Sequence, residues 1–248
     1  MAKPPSRSHF TRPVASVRAL VGHRRSAGSD LALATVLAAI AGAANAGGFF
    51  VLGQYTSHMT GYLSLMADNL ALWNLWAVGI SALAIGAFIT GAAFSTVLIN
   101  AARRRDGRLQ FALPLAVQGG CMLCFAGGGV FESEAGRIFS LTCLCFIMGM
   151  QNATITKISG ARIRTTHATG MITDIGIEAG KAVFGRITTS GITANRAKLG
   201  ILLRLVGAFL LGGVIGAFGY AQFGFLFSIP LAGILLALSL PTLLGRRV

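Results

Sequence analysis

The chain has 248 residues, of which 54% are hydrophobic and only 11% charged. Soluble domains carry about 25% charged residues, so this chain lacks the polar surface that a soluble enzyme or binding module needs. A formal net charge of +14 would suit nucleic acid, but its placement along the chain argues for a different origin.

Residues 1–30 form a basic tail with Lys3, Arg7, Arg12, Arg18, Arg24 and Arg25, expected to be disordered. The first apolar run, 31–53, contains Ala44-Asn45-Ala46, which looks like a signal-peptidase site. The long basic lead before it and the apolar Phe49–Leu52 after it favour a retained helix. Then come "TSHMTG" at 56–61 and a short segment, "GYLSLMADNLALWN". The second run spans 75–99 and ends on the basic Arg103–Arg105 and Arg108; the third spans 111–131. A fourth run, 138–156, leads into the basic stretch 157–198, which contains "TTHATG" at 165–170 and "GMITDIGIEAGKAVFGR". The fifth and sixth runs cover 199–220 and 223–244. Each run is long enough to cross a hydrocarbon core about 30 Å thick as a helix. None alternates as a membrane strand would.

The basic residues fall in both termini, 100–110 and 157–198, while the other connections hold one, Arg137. The positive-inside rule then places both termini in the cytoplasm of a bacterial inner membrane protein with six crossings. Two blocks recur in order: G-x-x-N-A at 42–46 and 149–153, then T-[ST]-H-x-T-G. Asn45 to Asn152 is 107 residues and His58 to His167 is 109. Three crossings per half is an odd number, so the second half must enter the membrane in the opposite sense. The expected fold is all-α: a single transmembrane domain over 31–248, built from inverted repeats at about 31–131 and 136–245. The segments after the two motifs are expected to form amphipathic or re-entrant helices capped by Thr60 and Thr169.

These residues resemble the YoaK family of bacterial multi-pass membrane proteins. "SHMTG" and "GMQNATITKISGARIRTTHATGMITDIGIEAGK" carry the resemblance, which covers about residues 30–245. Family members often have an acidic residue where this chain has Asn45, and T-G-N where it has Thr60-Gly61-Tyr62. The resemblance implies a domain of unknown function and no established reaction.

The polar chemistry is sparse. Asn45, Asn152 and Gln151 sit in apolar runs, where an amide serves either helix packing or a ligand. His58 and His167 stand at helix starts, where N–H groups favour an anion; alternatively each closes a turn. A substrate site would use Asn45, His58, Thr60, Gln151, Asn152, His167 and Thr169. Asp68, Asp174, Glu178 and Lys181 could form a proton or ion relay, or a solvated face with a Glu178–Lys181 pair. Cys121, Cys124, Cys143 and Cys145 lie mid-helix, away from any turn that a zinc site needs. No catalytic, metal or cofactor fingerprint occurs, so neither an enzyme nor a cofactor is expected. The best reading is a secondary transporter of a small solute, anions included; the rival is a non-transporting assembly or signalling subunit. The expected partners are the lipid bilayer and that solute, with a homo-oligomer left open and no nucleic acid.

Overall fold

The computed structural model describes residues 27–130, 133–158, 168–188 and 191–245. His167 and residues 1–26 of the basic tail lie outside them. The α-helices among the described residues are α1 (Ala27–Gly47), α2 (Met59–Ala71), α3 (Leu75–Arg105), α4 (Ala112–Ala126), α5 (Glu134–Ile158), α6 (Ala168–Ile187), α7 (Arg196–Phe223) and α8 (Ser228–Leu243). No strand occurs among the described residues.

Among the described residues, four stretches are long and apolar enough to cross a membrane: 28–52, 75–105, 134–158 and 196–243. The last is 48 residues, about twice what one crossing needs. It breaks at Gly224, whose φ of 53° and ψ of −140° suit a residue without Cβ. α5 begins four residues earlier than the apolar run, at Glu134, because Ser133 Oγ accepts from Gly136 N at 3.2 Å and caps the helix. α3 runs on to Arg105, since basic side chains favour a helix C-terminus.

The buried apolar residues divide into two clusters. One gathers Leu33 of α1, Ile99 of α3, Leu115 of α4, Ile155 of α5, Leu205 of α7 and Leu235 of α8. The other gathers Ala44, Ala84, Met122, Leu144, Tyr220 and Leu231 from the opposite ends of the same helices. So the N-terminal halves of α1, α4 and α7 lie beside the C-terminal halves of α3, α5 and α8. Successive long helices therefore alternate in direction, and α5 runs opposite to α1.

α1 packs mainly on α7, α3 on α5, and α4 on α8; the short α2 docks on α3 and α6 on α7. Exchanging the first-half helices α1, α2, α3 and α4 for α5, α6, α7 and α8 leaves this pairing unchanged. The α4–α5 packing, and more weakly that of α3 on α4, has no counterpart on exchange. The two main crossings share a detail. A Cβ at Gly42 would strike the carbonyl oxygen of Phe209, and one at Gly212 that of Ala39. In the other crossing Gly149 meets the carbonyl of Phe88, and Gly91 that of Phe146. Only glycine permits such close backbone approach. Ser95 and Thr154 share a buried hydrogen bond of 2.8 Å beside the second crossing.

One local expectation fails. Thr60 and Thr169 do not cap their helices. α2 begins at Met59 with His58 at the cap position and no side-chain capping bond, and α6 begins at Ala168. Both threonines therefore lie within helix, and His58 takes the position before α2.

Candidate functional site

A cavity of about 890 Å³ opens where the two halves meet, within the usual size range of small-molecule sites, about 300–1,000 Å³. Matched residues of both halves form its wall: Asn45 with Asn152, and Thr60 with Thr169. His58 lines it as well; its counterpart His167 lies outside the described residues. The first turns of α2 and α6 thus both reach the same space.

The turn before α2 is held by Asn45. Its Oδ1 accepts from Ser57 N at 3.2 Å and from Ser57 Oγ at 2.9 Å. Asn45 also lines the cavity. Asn45 thus holds the loop through its oxygen and stands at the cavity wall. The Nδ2 of Asn152 donates to Met148 O, one turn back, at 3.0 Å. Gly61 leaves room for the His58 ring: a Cβ there would come within 3.2 Å of Nδ1.

Gln151 is elsewhere. It is fully buried, accepts from Gln118 Nε2 at 2.8 Å and donates to Leu37 O. It ties α1, α4 and α5 together and does not line the cavity. Asp68 lies exposed on α2, also outside the cavity wall.

Asp174, Glu178 and Lys181 form a separate cluster between α6 and the start of α7. Glu178 is only 1% exposed. Its Oε2 accepts from Asn195 N at 2.8 Å and its Oε1 from Lys181 Nζ at 3.0 Å. Lys198 Nζ lies 3.3 Å from Asp174 and 4.0 Å from Glu178. The Asn195 N–H and then Lys181 hold the Glu178 carboxyl below its ordinary value. α6 turns this polar stripe toward α7 and leaves Ile172, Ile177, Val183 and Phe184 exposed. That is the reverse of a helix lying on a water-soluble core, and it suits lipid contact.

Several cavity residues escaped the sequence reading, Phe88 and Phe209 among them. Phe88 and Phe209 line the same space, one from each half. A signal for them exists: "GAFITG" at 86–91 and "GAFLLG" at 207–212 form a third repeated block. Its glycines, Gly91 and Gly212, are those that press on α5 and α1. Lys157, one turn beyond Asn152, also reaches the cavity.

Over residues 33–240 the chain matches the family described as "Protein of unknown function (DUF1275)". It belongs to that family. No curated protein and no solved structure matches it. Family membership thus agrees with the span of the membrane-like helical region and assigns no activity, so function rests on the cavity.

Proposed function

We propose that this protein is a secondary transporter of a small solute, with its binding site in the cavity between two inverted three-crossing halves. One observation carries the reading: both halves contribute equivalent residues, Asn45 and Asn152, Thr60 and Thr169, to one space. Transporters with inverted repeats bind substrate where the repeats meet, often at helix starts.

Six crossings account for the lengths. α4 and its following 3-10 turn, Gly127–Val130, together reach about 30 Å. α8 and the preceding turn, Gly224–Phe227, do the same. The opposed directions of α1 and α5 support the inversion. Exposed Trp73 and Trp76 at the start of α3 suit one membrane interface. Arg103, Arg104 and Arg105 at its other end suit the cytoplasmic side of a bacterial inner membrane. Both termini lie on that cytoplasmic side in this reading, and no bond-making chemistry is assigned to the chain.

Growth and uptake of strains with and without the protein, across many solutes, would identify the cargo. Flux into proteoliposomes is then compared for the parent, Asn152→Leu and Thr169→Val. The reading expects at least about a tenfold loss at unchanged Tm. Parent-like flux in both variants, or no solute moved by the parent, favours the assembly or signalling subunit.

A further inference from the structure

We infer that the cavity is a site for small organic monoanions: a carboxylate held by Lys157, with an apolar body against Phe88 and Phe209. This rests on the reading of the cavity as the solute site, and it names the class of solute.

The charge argument comes first. Lys157 lines the cavity and has no ion pair among the described residues. No acidic residue lines the cavity among the described residues. The chain offers none nearby in sequence either: 45–67 and 151–173 contain no Asp or Glu. The acids that follow them are engaged or turned away. Asp174 and Glu178 are paired with Lys198 and Lys181, and Asp68 is exposed outside the wall. Lys157 is exposed at the end of α5, and a lysine on a cavity wall without a counter-charge favours an anionic ligand. Lys157 also stands in the last turn of α5, where it complements the helix dipole. That role does not neutralise the ammonium toward the cavity.

The rest of the wall limits what the anion can be. Asn45, Thr60 and Thr169 also line the cavity and carry neutral donor groups, which suit one carboxylate group. Phe88 and Phe209 offer apolar faces, one from each half. A fully polar dianion would leave those rings unused, and a second charge would find no second lysine in the described wall.

Benzoate, benzamide and benzylamine share a ring and differ in charge, so they serve as probes. Binding is measured by titration calorimetry on the full chain in nanodiscs. The inference expects benzoate to bind at least about tenfold more tightly than benzamide, and benzylamine not to bind. Lys157→Gln should erase that preference, while Lys157→Arg should keep it. Phe88→Ala should weaken benzoate but not acetate. Equal binding of benzamide and benzoate to the parent, or unchanged benzoate binding in Lys157→Gln, overturns the inference. So does the absence of benzoate binding, even where another solute is transported through Asn152; there the transport reading survives alone. Benzoate binding with the expected lysine dependence but no flux of labelled benzoate supports the inference and counts against transport.

Discussion

At the level of single residues, Asn45 links the repeat motif to the cavity. It joins two blocks, G-x-x-N-A and T-[ST]-H-x-T-G, by bonding Ser57 through Oδ1. An acidic residue at this position, as in the family the chain resembles, would keep that acceptor. Asn45→Asp should therefore retain the parent Tm, and Asn45→Leu should lose about 1–3 kcal/mol through the two missing bonds. Equal stability of the two variants would remove the proposed anchor. Glu178 makes a pH-dependent contribution. Its carboxyl is lowered in the folded chain, so its stabilisation is present above the ordinary value of 4.5 and is lost as pH falls through the folded value. The Tm gap between the parent and Glu178→Gln should be widest near neutral pH and should close as the pH falls below 4.5 through the lowered folded value. A gap that grows on acidification would contradict this assignment. Residue roles were the least legible part of the sequence. A polar residue in an apolar run signals a partner without naming it. Gln151 thus read as a ligand contact but bonds Gln118 and Leu37 instead. The stripe Asp174, Glu178 and Lys181 was visible at helical spacing, but that it faces the start of α7 depends on how the chain folds back.

At the level of elements, the glycine crossings position the cavity. Gly42 and Gly212 bring α1 against α7, and Gly91 and Gly149 bring α3 against α5. Phe88 and Phe209 flank the cavity because their own carbonyls sit at these contacts. Gly149→Ala should force the α3 and α5 backbones apart and cost about 1–3 kcal/mol. Gly86→Ala and Gly207→Ala, where a Cβ meets open space, should instead be neutral or add up to about 1 kcal/mol of helix propensity. Thermal unfolding of the three variants in one detergent checks this. Equal Tm for all three would mean that the close crossings do not limit stability. The apolar runs gave the long helices to within a few residues, because twenty apolar residues leave the backbone few alternatives in lipid. The helix starts were less legible. Ser133 extends α5 from what read as a polar loop, and His58 stands where Thr60 was expected to cap. Capping depends on a single bond, which composition does not reveal.

At the level of the whole molecule, the proposed arrangement is two halves, inserted in opposite senses, around one cavity. The repeat of Asn and His blocks suggested it. The pairing of α1 with α7 and α3 with α5, unchanged on exchanging halves, agrees with it. A third block, G-A-F-x-x-G, was present in the sequence but is short and common in membrane helices, so it gains meaning only when its glycines are seen at the crossings. The inversion requires the 107–109 turn and Ser133 on opposite sides, and the positive-inside rule puts that turn and both termini on the cytoplasmic side. The most direct test uses single cysteines at Ser133 and Gly107 in a background free of Cys121, Cys124, Cys143 and Cys145. Intact cells are treated with a membrane-impermeant maleimide, then permeabilised and treated again. The account predicts labelling of Ser133→Cys in intact cells and of Gly107→Cys only after permeabilisation. Labelling of Gly107→Cys from outside, with Ser133→Cys protected, would contradict the cytoplasmic placement of the termini. Labelling of both from outside would remove a crossing and with it the inverted halves.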